Sequence, residues 1–371
     1  MKTCARGYVC TQSPVGHYFL SLWFPTNHFW GPSFLAAGRR TSTTMRFNTA
    51  KAIEFLLARG NLPILFWLKR DILNVPIDRE SKNMRKFAAR VRILETQKPD
   101  GSWWEKRSDT PIYWERTLYR VDTLRNLYRL YDYGCTTNEE GIQRALDFLF
   151  SLQTKEGDFR GTVLNVYTPT FHALTLEMLC LYGLDRDRRV QKGFRWILAN
   201  RQNDGGWALY HPRPSQSAGK SAVPGSSNPR GQPFKPRKSQ PFSHHVTGMV
   251  LRAFAESPTW KSSKEAWQAG EKLLSCFFCD EVYEDRTFPS DWEMICYPFW
   301  NTDVLASLDS LSKVGFSAEN ETIQKGLIWL MKRQNSQGFW ECGTKKATLE
   351  DHLWVTLAAL RALKRFELLR T

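Results

Sequence analysis

The sequence predicts an all-α protein made of repeated helix pairs. Three observations support this. A short turn motif recurs four times, each copy follows a stretch with apolar residues at three- and four-residue spacing, and no segment keeps a two-residue period.

The four copies are Gln97-Lys-Pro-Asp-Gly101-Ser-Trp103, Gln153-Thr-Lys-Glu-Gly157-Asp-Phe159, Arg201-Gln-Asn-Asp-Gly205-Gly-Trp207 and Gln334-Asn-Ser-Gln-Gly338-Phe-Trp340. The register extends upstream without a gap: Glu140-Gly-Ile-Gln143 through Gln153 overlays Glu321-Thr-Ile-Gln324 through Gln334. A degenerate fifth copy starts at Cys276. First positions are then 56, 48, 75 and 58 residues apart, and the long interval holds a Pro/Ser/Lys-rich insertion at 212–242, expected to be disordered.

One unit can be built from the residues. An amphipathic helix runs into the motif. The glycine stops it by allowing a left-handed turn, the aromatic packs the turn down, and the Gln amide binds backbone groups freed at the helix end. Thr137-Asn-Glu-Glu140 fits a capping box opening one such helix. A second helix follows each turn, over 115–133, 170–182, 245–256, 300–314 and 352–365. Residues 51–58 with 62–73 supply a sixth pair.

The motif Q-x-x-D-G-x-W, repeated between helices, resembles the QW repeats of squalene–hopene and oxidosqualene cyclases. It is also similar to the repeats of protein prenyltransferase β subunits. The resemblance covers about residues 50–370 and implies an α/α toroid: about six helix pairs, the inner helices ringing a central cavity. It implies an isoprenoid or terpenoid-like apolar ligand in that cavity.

Composition sets outer limits. With 42% hydrophobic and 24% charged residues, the 371-residue chain can bury a core. No apolar run reaches the roughly 18 residues of a membrane span. The eight cysteines are scattered and read as reduced thiols of a cytoplasmic protein. Residues 1–45 lack any acid and any periodicity. They read as an extension outside the fold, either a sorting peptide or residues ahead of a start at Met45, so a single toroid is expected over 46–371. The formal charge of +15 comes partly from the insertion, where Arg213, Lys220, Arg230, Lys235, Arg237 and Lys238 have no acidic partner. An anionic membrane surface or a diphosphate suits such a stretch; no nucleic-acid recognition motif is present.

Chemistry must be argued separately from fold. The cyclases start their reaction with an Asp-x-Asp-Asp acid, and this sequence has none. Asp185-Arg-Asp187 reads as a solvated turn, and Asp280-Glu281-Val-Tyr-Glu284-Asp285 as a solvated acidic loop. Cys296-Tyr-Pro-Phe-Trp300 and Glu350-Asp351-His352 resemble the zinc-binding stretches of the prenyltransferases. Met294, however, stands where those enzymes have an aspartate ligand, leaving Asp291 or Glu293 to substitute. No Gly-rich phosphate loop is present, and neither metal nor cofactor is expected.

The inner helices offer Asp122 and Asp303, which overlay in Val121-Asp122-Thr-Leu-Arg-Asn-Leu127 and Thr302-Asp303-Val-Leu-Ala-Ser-Leu308. They are either a cavity acid and base or ring-locking partners of arginines such as Arg116, Arg120 and Arg125. Trp114, Tyr119, His172, His245, Trp300, His352 and Trp354 are the candidate pocket residues, with His244 and Tyr113 beside them. The sequence thus points to a toroid that binds, and transforms if it is an enzyme of the cyclase or prenyltransferase kind, an isoprenoid-like molecule. The alternatives are a non-catalytic ligand- or protein-binding toroid and a zinc prenyltransferase.

Overall fold

A computed structural model describes residues 46–103, 112–160, 167–208, 237–281 and 290–369, with the side chains of 112–120, 290 and 291 excepted. The expectations for residues 1–45 and for most of the 212–242 insertion lie outside these residues. Every regular element described is helical: α1 Thr49–Arg59, α2 Leu62–Leu68 (continued by a π turn, Lys69–Leu73), α3 Asp78–Met84, α4 Ala88–Glu95, α5 Ile112–Asp132, α6 Glu140–Ser151, α7 Pro169–Leu181, α8 Arg188–Ala199, α9 His244–Glu256, α10 Lys264–Leu274, α11 Ser290–Glu293, α12 Val304–Val314, α13 Glu321–Arg333 and α14 Leu349–Arg365. No described helix is long and apolar enough to cross a membrane.

The helices form the expected toroid. Inner helices pack in the order α5, α7, α9, α12, α14, α2. Trp67 of α2 closes the ring, its indole N–H donating to Asp132 O at 2.6 Å. Outer helices lie against these: α1 on α2 and α14, α4 and α6 on α5, α8 on α7, α10 on α9 and α12, and α13 on α12. α7, α9, α12 and α14 are buried along almost their whole length, as inner-ring position demands.

The turn motif joins neighbouring units. Gln97 Nε2 donates to Gly101 O in its own turn and to Gly141 O at the start of α6. Gln153 does the same to Gly157 O and Arg189 O, and Gln334 to Gly338 O and Asn48 O. Arg201 substitutes its Nε to Gly205 O and its Nη1 to Gln268. The indole N–H groups of Trp103, Trp207 and Trp340 each donate to a carbonyl ten residues upstream. Their backbone N–H groups donate to Thr123, Thr247 and Thr356 of the following inner helix. At Gly338 (φ +91°) a Cβ would meet Lys51 Cβ at 2.4 Å, so the last turn and α1 approach closer than any side chain allows.

Three local expectations need correction. Thr137 does not open a capping box: α6 starts after Glu139, whose carboxylate turns back to Thr136 N–H. The capping box belongs instead to α14, between Thr348 and Asp351. Asp185 is buried, not solvated, because Ser257 and Thr259 donate to its two oxygens. Glu281 is buried too, accepting from Ser243 Oγ at 2.7 Å and His245 N–H at 3.2 Å; Glu284 and Asp285 lie outside the described residues.

Candidate functional site

The site begins with a helix that starts later than its periodicity suggests. Asp303 caps α12, its Oδ1 accepting the Ala306 N–H at 2.8 Å, so Trp300 precedes the helix instead of joining it. Residues 295–303 are thereby released to run as a non-helical segment. Its aromatic side chains reach three inner helices. Tyr297 donates its hydroxyl to Asp132 of α5 at 2.9 Å and stacks on Trp354 of α14 at 5.5 Å. Phe299 lies 5.9 Å from the guanidinium of Arg252 on α9. Trp300 meets Tyr128 of α5 edge-on at 5.6 Å. No two of α5, α9 and α14 are neighbours in the ring, so a segment touching all three crosses its centre.

The charged groups on the inner helices are matched with one another, and one of them, Arg252, also reaches this segment. Arg252 donates twice to Glu177 of α7, at 2.9 and 3.1 Å, and once to Asn301 O at 3.0 Å. On α12, Asp309 holds Lys313 and Arg365, and Lys313 also reaches Glu256. Arg361 of α14 pairs with Asp71 at 2.7 Å. Buried charges survive only when matched this way.

Asp122 and Asp303 occupy different situations. Asp122 lies midway along α5 and pairs with Arg125 at 2.9 Å, whose guanidinium sits 5.6 Å over the Trp300 ring. The arginine is one of those the sequence offered as a locking partner, though it comes from the same helix. Asp303 is fully buried, and its Oδ2 has no hydrogen-bond partner among the described residues. Burial pushes its carboxyl up to about 7, against the pull of the Ala306 N–H and Arg252.

Backbone groups engage His172, His245 and His352. His172 Nδ1 accepts the Phe159 N–H at 3.1 Å and its Nε2 donates to Gly193 O at 3.0 Å, which fixes a neutral ring. Burial pushes it down to about 4. His352 Nδ1 accepts the Cys342 N–H at 2.9 Å, two residues beyond the motif tryptophan. His245 faces Thr302 N–H at 3.5 Å, and His244 stacks on Trp292 and lies 3.4 Å from Glu281. Trp354 is fully buried and Trp300 half-buried. The side chains of Trp114 and Tyr119 lie outside the described residues.

Of the prenyltransferase-like stretches, Cys296 rests against Pro298 O and Glu293 pairs with Arg333 at the surface, 2.5 Å away. Among the described residues no three His, Cys, Asp or Glu side chains converge in a way that could hold a metal ion. The sequence reading missed Glu177, Arg252, Arg129 and Asp132. The first two carried a signal, as single charges within otherwise apolar helical stretches.

No family model matches the chain, and no curated protein matches it. Among solved structures it is similar to a protein from Actinoplanes, with TM-score 0.43 and 15% identity over 86% of this chain and 98% of that one. It is also similar to the type II terpene cyclase MstE from Scytonema. A variant of that enzyme in complex with geranylgeranyl dihydroxybenzoate gives TM-score 0.33 and 11% identity over 78% of this chain and 98% of that one. The apo enzyme gives 0.30 and 12% over 78% and 99%.

Proposed function

We propose that the protein binds an isoprenoid-like apolar molecule against the Tyr297–Trp300 segment at the ring centre. The observation that carries this is the convergence of Tyr128, Tyr297, Trp300 and Trp354 from three elements on one place, with Trp300 left half-buried. An aromatic wall with a few polar groups at its edge suits a long apolar chain. The test is quenching of tryptophan fluorescence by C15 and C20 isoprenoids. Trp300→Ala is expected to weaken binding at least about tenfold; unchanged affinity in that variant would overturn the reading.

Binding without polyene cyclisation is the form the geometry favours. Asp122 is held by Arg125, and a carboxyl poised near 7, as at Asp303, is too weak an acid for an isolated alkene. Incubation with C20 and C30 polyenes, followed by mass spectrometry, separates the two. A cyclised product that disappears in Asp303→Asn would establish catalysis instead.

A further inference from the structure

The ring centre holds two unmet polar atoms one helical turn apart on α5. Asp132 is 2% exposed; Tyr297 donates to its Oδ1, while its Oδ2 is buried with no hydrogen-bond partner among the described residues. Arg129 reaches Asp351 of α14 through Nη2 at 3.7 Å, while its Nη1 is likewise buried without a partner. The first atom is an acceptor and the second a donor. Residues at i and i+3 share a helix face, so both side chains leave the same side of α5.

We propose that Arg129 and Asp132 form a polar subsite for the hydroxyl of an alcohol, making the ligand an isoprenoid alcohol and not a hydrocarbon or a diphosphate. This rests on the binding reading above. A hydroxyl donates once and accepts once, so it satisfies Asp132 Oδ2 and Arg129 Nη1 together. A hydrocarbon leaves both unmet. A diphosphate brings negative charge beside Asp132, Asp351 and Glu350, the last of these 3.5 Å from the Tyr133 hydroxyl. Tyr297 makes the subsite continuous with the aromatic wall, since its hydroxyl holds Asp132 while its ring stacks on Trp354.

The protein is titrated with geranylgeraniol, geranylgeranyl diphosphate and the C20 hydrocarbon lacking the hydroxyl, with tryptophan fluorescence as the readout. The alcohol is expected to bind at least about tenfold tighter than the other two, because a site built for a hydroxyl rejects the analogue without it. The double variant Arg129→Met/Asp132→Leu is expected to melt below the parent, since it takes the Arg129 contact from Asp351 and the acceptor from the Tyr297 hydroxyl, and to bind alcohol and hydrocarbon alike. If it does not fold, Asp132→Asn is read in its place and is expected to narrow the preference. Equal affinities in the parent protein overturn the proposal and leave the subsite to an ordered water only. So does tighter binding of the diphosphate, or a preference that survives in the variant. Failure of all three compounds to bind overturns the binding reading itself, and this subsite with it.

Discussion

The side-chain amide of Gln334 grips the backbone of Asn48 from both sides. Asn48 N–H donates to Gln334 Oε1 at 2.9 Å, and Gln334 Nε2 donates to Asn48 O at 3.0 Å, across 286 positions of sequence. The other motif glutamines tie a unit to the one that follows it; this one ties the last to the first.

Gln334→Ala is therefore expected to cost about 1–2 kcal/mol, the worth of two or three hydrogen bonds at a partly exposed site. The distinguishing readout is hydrogen exchange: amides of α1 should exchange faster in Gln334→Ala but not in Gln153→Ala. Equal protection of α1 in both variants counts against a closing role.

Glu177→Gln leaves Arg252 buried and facing a neutral amide. Removal of one partner from a buried pair typically costs about 3–5 kcal/mol. Chemical denaturation measures this directly. A loss below about 1 kcal/mol means the guanidinium finds another partner or water.

His172 gives a pH dependence with a definite sign. Its folded value, about 4, lies below the ordinary 6.5, so its contribution is intact above 6.5 and is lost as pH falls through 4. The magnitude is of order 3 kcal/mol. His172→Asn keeps an acceptor for the Phe159 N–H without titrating. The stability gap between parent and variant should shrink between pH 7 and 4.5; a constant gap refutes the assignment.

Asp303 acts in the opposite direction. Its carboxyl is raised to about 7 from 3.8, so the stability it contributes is complete below 3.8 and is lost as pH rises through 7. Asp303→Asn retains the cap on Ala306 and removes the titration. The variant should melt above the parent at pH 8 and no higher at pH 4.

The repeat motif was legible because each of its residues has a fixed backbone partner. Gln97, Gly101 and Trp103 do the same work as Gln334, Gly338 and Trp340, and identical work leaves identical letters. The centre was less legible. Periodicity showed which faces of α5, α7 and α9 are apolar, but not which side chains meet across the ring. Asp132 and Tyr297, 165 positions apart, share no local pattern. Asp303 reads in the sequence as a carboxylate within a helix, yet it is a cap, because the helical period of 300–314 runs through the non-helical segment without a break. His172 and His352 read as pocket residues; in the fold their Nδ1 atoms accept the backbone N–H groups of Phe159 and Cys342.

The circular layout bears on how the chain is made. Synthesis delivers α1 first, but the turn that receives it, at Gln334 and Gly338, comes near the end. Until then the growing polypeptide is an open arc whose two terminal faces, α1 with α2 at one edge and the newest inner helix at the other, lack their final neighbours. Those apolar edges are a standing opportunity for misassociation during translation. The N-terminal helices gain their last contacts only when the C-terminal ones arrive.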